Sequence, residues 1–276
     1  MSCRRTKGNL RGIRHVRLGG SLDLSSIIGL VLGIGAVLLG QALEGGSIRS
    51  ILQPTAAMIV FGGTIGATMA GFPLSAAKGA AAGVLKVLLG GGSKEHEHIS
   101  EISRYAAKAR KNGIISLEAD IKTTKDPFLQ KALRFVVDGV EPKVLQGIME
   151  TEIGKLDEHG EMPSKFFESA GGFAPTIGII GAVLGLIQVM QNLSDPSKLG
   201  EGIAVAFVAT VYGVGSANLI FLPFAGKLKY RHKREIATKS MILEGVLAMQ
   251  AGEHPQIIEE RLKAYLEETG PKVKKK

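Results

Sequence analysis

Phe173–Leu193, FAPTIGIIGAVLGLIQVMQNL, and Ile203–Ala225, IAVAFVATVYGVGSANLIFLPFA, decide the fold of this chain. Neither stretch contains Asp, Glu, Lys, Arg or His, yet both are dotted with Gly, Thr and Pro. Each exceeds the roughly 20 residues a helix needs to cross hydrocarbon. Upstream lie two more spans without formal charge, Leu24–Leu43 and Ile51–Ala77. The expected fold is all-α, a polytopic membrane protein with four transmembrane helices and a cytoplasmic helical domain. Four spans without an intramembrane acid or base hold no side chain that can titrate a proton there. If the protein moves ions, a partner supplies the carboxylate.

Composition agrees with this mixture. The chain has 276 residues, 45% of them hydrophobic, with a formal net charge of +9. Many of its glycines lie in the apolar spans, where small residues let helix backbones approach closely. Trp is absent, so any interfacial aromatic belt is thin. The single cysteine, Cys3, precludes an internal disulfide. The positive charge is placed for topology and not for nucleic acid. Arg4, Arg5, Lys7, Arg11, Arg14 and Arg17 precede the first span, and Lys227, Lys229, Arg231, Lys233 and Arg234 follow the fourth. The links Glu44–Ser50 and 191–202 are nearly free of bases. By the positive-inside rule both termini are expected in the cytoplasm.

The organisation read from this is a basic N-terminal extension (1–22), helices one and two (23–77), a cytoplasmic helical domain (78–172), helices three and four (173–226) and a cytoplasmic helical tail (227–276). The 78–172 segment is dense in charge but balanced, with 14 Lys or Arg against 14 Asp or Glu. Ile99, Ile102, Tyr105, Ala106 and Ala109 form a stripe at three- and four-residue steps, as an amphipathic helix requires. Breaks are predicted at Gly90–Gly92, Asn112-Gly113, Asp126-Pro127, Glu141-Pro142 and Met162-Pro163. After Arg234 the pattern continues through Ile242, Val246 and Leu247, then Ile257, Ile258, Leu262, Tyr265 and Leu266. The last residues are a lysine-rich terminus.

Small motifs dissolve on inspection. Gly33-Ile34-Gly35 and Gly213-Val214-Gly215 follow no strand, so they read as packing glycines and not as a dinucleotide fingerprint. His96 and His98 face different sides of a helix, which favours a solvated turn over a metal site. There is no P-loop and no nucleophile–base constellation, so no cofactor and no enzymatic activity are expected. The basic N-terminus reads as an anionic-lipid contact or a topology anchor. On the third and fourth spans, Pro175, Thr176, Thr210 and Pro223 each have a plain reading as a kink or a hydroxyl bonded to its own helix. Together on two acid-free helices they suggest a polar lining.

Residues 172–187 (GFAPTIGIIGAVLGLI) and 204–213 (AVAFVATVYG) resemble the paired helices of MotA-type flagellar stator proteins. So do 107–121 (AKARKNGIISLEADI), 222–229 (LPFAGKLK) and 242–252 (ILEGVLAMQAG). The resemblance runs from about Asp23 to Leu266. Residues 1–22 fall outside the family pattern, and Leu22-Asp23-Leu24-Ser25-Ser26 has the look of a natural chain start.

The resemblance implies a bacterial inner-membrane stator subunit. It would form a homo-pentamer around a dimer of a single-span MotB-type partner, whose aspartate binds the travelling cation. The cytoplasmic domain would push the rotor switch protein FliG, with Arg110 and Glu118 matching the family's rotor-contacting charges. Thr210, Phe207, Pro175, Thr176 and Pro223 would line or shape the ion path. Sodium-type members carry a second threonine where Ala182 stands, so protons are expected. A related reading is an ExbB/TolQ-like energiser of envelope proteins, but that type has three spans. A self-sufficient channel is disfavoured by the lack of intramembrane ionisable groups.

Overall fold

The computed structural model describes residues 23–89, 95–194 and 196–266, and these are mostly helical, with short links and without strands. The N-terminal basic cluster, Cys3, the Gly90–Gly92 break and the lysine-rich terminus lie outside the described residues.

Helix α1 (Leu24–Leu43) starts where the Asp23 carboxylate accepts the Ser26 N–H, the usual device for an orphan donor at a helix start. It ends at Gly45, whose φ of +80° suits glycine. A short turn, α2 (Ile48–Ile51), leads into α3 (Pro54–Gly71), which contains a π-turn over Met58–Gly62. The sequence predicts one span through Ala77, but the helix stops at Gly71. Pro73 lacks an N–H and holds Phe72 extended, with φ −132° and ψ 147°. Helix α4 (Leu74–Leu89) starts beyond this break.

Beyond the undescribed 90–94 link come α5 (Glu95–Asn112), a 3-10 turn (Ile114–Leu117), α6 (Glu118–Ile121) and α7 (Pro127–Val137). The predicted boundaries at Asn112-Gly113, Asp126-Pro127 and Glu141-Pro142 are all observed. Gly113 has φ +82°, and Asp126 caps α7 by accepting from the N–H groups of Phe128 and Leu129. The boundary at Pro163 is not observed. Helix α8 (Pro142–Gln191) runs unbroken for 50 residues through both Pro163 and Pro175. Helix α9 (Leu199–Gln250) is equally continuous over 52 residues, with a π-turn at Ala217–Phe221. A proline ring can sit inside a helix when neighbouring elements support the turn it weakens. The side chain of Pro163 lies against Gly79 of α4.

Two consequences follow for packing. In the membrane half, α8 and α9 lie side by side, α3 packs behind them, and α1 buries none of its residues. In the charged half, one core gathers Ile102, Tyr105, Leu129, Leu133, Leu145 and Met149 with Met241, Ile242 and, from α10 (Pro255–Lys263), Ile258 and Leu262. The chain after Arg234 therefore fills the centre of the charged domain. Lys239 donates to both oxygens of Asp126 at 2.9–3.0 Å, with His98 Nε2 at 3.8 Å. Burial pushes the Asp126 carboxyl up, but the Lys239 ammonium and the helix N–H groups outweigh it and hold the group below its usual range.

Between the halves, His232 of α9 meets the Asp157 carboxylate of α8 at 2.9 Å. Gly160 makes room for that imidazole, since a Cβ there would lie 2.2 Å from the ring. At the near end of α1, Asp23 accepts from Lys227 at 2.8 Å and Arg231 at 3.0 Å. The Lys227 ammonium, with the Ser25 hydroxyl, holds its carboxyl far below the usual range.

Candidate functional site

The glycines of α8 and α9 bring the two backbones into direct contact. A Cβ on Gly213 would lie 2.6 Å from the Ala174 carbonyl, and one on Gly185 would lie 2.7 Å from the Gly202 carbonyl. Gly178 and Gly181 meet Ala209 in the same way. No side chain larger than hydrogen fits at these glycines without a shift, which is how small residues set helix spacing in a membrane.

Opposite the seam's buried side, α9 presents an acid-free face. Phe207 is 70% exposed, and Thr210 lies next to it, three residues on and also exposed. The Thr210 hydroxyl donates to the Ala206 carbonyl at 3.2 Å, so its oxygen keeps acceptor capacity on an open face. Thr176 of α8 is exposed as well and donates to the Phe173 carbonyl at 2.8 Å. Pro175 and Ala182 are half-buried, and seven residues put them on one side of α8, two turns apart. Pro175 also deprives the Gly171 carbonyl of its ordinary i+4 donor. Pro223 stands apart from Thr210, in a crevice between α1 and α9 lined by Ser25, Gly29, Val87, Asn218 and Lys227.

Behind this face lie groups the sequence reading did not single out. Tyr212 donates to the Ile51 carbonyl at 2.5 Å, accepts from the Gln53 N–H at 3.4 Å, and packs its ring 5.8 Å from Phe61. It thereby ties α9 to the link before α3. Thr64 and Thr68 of α3 are fully buried; Thr68 donates to the Thr64 carbonyl, while the Thr64 hydroxyl has no partner among the described residues. Their i, i+4 spacing in an uncharged span was the available signal. Tyr212 gave none, because its partner is 161 residues away.

A second candidate surface lies in the charged domain. Arg110 closes α5 and Glu118 opens α6, with Gly113 reversing the chain between them. Lys108 and Asp120 pair at 2.5 Å across the turn, whereas Arg110 and Glu118 are exposed and form no ion pair among the described residues. His96 is exposed and His98 buried, so they do not converge.

Comparison with known proteins gives a consistent picture. The model of the MotA/TolQ/ExbB proton channel family matches residues 120–241, and that of the motility protein A N-terminal region matches 27–113. Motility protein A of Bacillus subtilis is 34% identical over 251 residues, covering 89% of this chain and 91% of the relative. The fold superposes on the flagellar MotAB stator complex from B. subtilis with a TM-score of 0.80 at 34% identity, covering 88% of this chain and 96% of the other. On C. jejuni MotAB the TM-score is 0.86 at 29% identity, with coverages of 91% and 99%.

Proposed function

This chain belongs to the MotA/TolQ/ExbB proton channel family and is a stator subunit of the bacterial flagellar motor, and we propose that it converts ion flow into torque through a carboxylate carried by a partner. The observation that carries the mechanism is the uncharged, exposed face of α9 around Thr210 and Phe207, backed by a glycine seam. Such a face can present hydroxyls and carbonyls to a cation but holds no acid to bind it. The partner is a MotB-type single-span subunit whose aspartate faces Thr210. Five copies of this chain surround two copies of that partner in the inner membrane, with both termini in the cytoplasm. Loading and unloading the carboxylate alters its contacts with α8 and α9, and the ring steps round.

Residues 23–77 and 173–226 form the membrane part of this unit. The regions 78–172 and 227–276 form the part that meets the switch protein FliG through Arg110 and Glu118. Exposed charges of opposite sign steer a repeatedly remade contact without holding it tightly.

The travelling ion is the proton. A sodium ion exchanges its water for several oxygen ligands, and Ala182 offers none where a threonine would. Phe207 and Pro175 shape the path beside Thr210 and Thr176, and Pro223 shapes its inner end. Swimming speed with sodium replaced by potassium at fixed pH tests the assignment. Unchanged speed is expected; arrest with the membrane potential intact makes sodium the ion. Reversing Arg110 or Glu118 in charge is expected to impair swimming while membrane insertion and partner assembly persist. Full swimming of the double reversal Arg110→Glu, Glu118→Lys removes both from the contact.

A further inference from the structure

Outside the four apolar spans and the link between the first two, Ile115 is the most exposed large apolar side chain among the described residues, at 74%. Its position is fixed by its neighbours. Leu117 is fully buried and Ile114 packs against the core, so the 3-10 turn is anchored on both sides of Ile115. The Ser116 hydroxyl donates to the Gly113 carbonyl at 2.6 Å, and the Lys108–Asp120 pair staples α5 to α6. The turn thus holds an isoleucine in water at a rigid apex. With 74% of its surface open, the side chain gains little from the fold by being apolar.

The surroundings explain it. Arg110 precedes the turn and Glu118 follows it, both exposed and without an ion-pair partner among the described residues. An apolar centre between charged residues is the layout of a contact hot spot, where the rim excludes water and the centre supplies most of the affinity. We propose that Ile115 is the apolar anchor of the rotor contact. It seats in an apolar depression on the rotor protein that has an acidic residue facing Arg110 and a basic residue facing Glu118. This rests on the reading of the Arg110–Glu118 edge as rotor-facing. The two charges set how fast the surfaces find each other, and Ile115 sets how long they stay together.

The test follows fluorescently tagged full-length stator complexes at motors in living cells, for Ile115→Ser, Ile115→Leu and Arg110→Glu. The amount of complex co-purifying with the partner subunit checks that each variant assembles. Ile115→Ser is expected to shorten the dwell time at the motor about tenfold, the scale for an apolar side chain losing its pocket. Ile115→Leu keeps most of it. Normal dwell of Ile115→Ser alongside loss in Arg110→Glu overturns the anchor and leaves the charged-edge reading standing. Normal dwell in both variants overturns the edge reading and the anchor with it. Equal loss in the Ser and Leu variants overturns the apolar role. So does cysteine crosslinking from Ile115→Cys to a second copy of this chain in place of the rotor protein.

Discussion

Thr210 combines two properties that side chains in a packed membrane bundle seldom share: it is polar and it is open. Its hydroxyl donates to its own helix, which leaves the oxygen's lone pairs directed toward whatever covers the face. Replacing Thr210 with Ala is expected to abolish swimming, and with Ser to retain a substantial part of it, while partner co-purification is unchanged in both. Equal swimming of the Ala variant would remove the hydroxyl from the path. Tyr265 offers a test in the charged domain. Its phenol donates to Glu244 at 2.6 Å, and that carboxylate together with burial pushes the group up to about 12 from the usual value of about 10. The neutral phenol is the form the fold favours, so its contribution is complete below pH 10 and is lost as pH rises through about 12. Thermal unfolding of the solubilised protein against pH should therefore show an alkaline loss that Tyr265→Phe lacks. At residue scale the sequence yielded Thr210 and Thr176 as polar groups on acid-free helices. Arg110 and Glu118 were legible only through resemblance, because exposed charges look alike in one sequence. Tyr212 was invisible, since a hydrogen bond across 161 residues leaves no local pattern.

The elements were legible where periodicity was unopposed and misread where proline punctuated it. Glycines within the apolar spans announced close helix packing, and at 178, 181 and 185 the structure places carbonyls and alanines where side chains would be. Gly213→Ala is accordingly expected to destabilise the chain in detergent by ~1–3 kcal/mol, the range for overpacking against atoms that cannot yield. Gly215→Ala, two residues on, meets nothing within 4 Å and should be neutral or mildly stabilising. Comparable melting of the two variants would deny the seam its role in fixing helix spacing. Pro163 was expected to end a helix and does not, whereas Pro73 ends one within a stretch read as a single span. The difference is tertiary: α4 packs across Pro163, and the broken ladder is supported from outside. No composition rule carries that information.

At the scale of the whole molecule, the charge balance, the four apolar spans and their order were all readable. The sharing of one core by α5, α7, the start of α8, the end of α9 and α10 was not, because it joins segments over a hundred residues apart. The membrane half has little core of its own. Helix α1 buries nothing, and Val31, Leu32 and Leu39 are all more than 60% exposed. Such surfaces are covered by lipid, by copies of the chain or by the partner. A subunit whose spans hold no Asp, Glu, His, Lys or Arg should also be silent alone. Reconstituted in liposomes without the partner, it is expected to pass neither protons nor sodium. A robust current from the purified chain would overturn the division of labour proposed above.

The unbroken run of α8 has a mechanical consequence. At about 1.5 Å per residue, its 50 residues make a rod roughly 75 Å long that begins in the charged core and ends at the far end of the third apolar span. Its two weakened turns are those at Pro163 and Pro175; α4 braces the first, and α9 lies alongside as a second shaft, latched by His232 to Asp157. A tilt of about 5° at one end of such a rod sweeps the other through roughly 6–7 Å, more than one helical turn. On the mechanism proposed above, a small displacement at the partner's carboxylate is enlarged along this rod toward the charged domain.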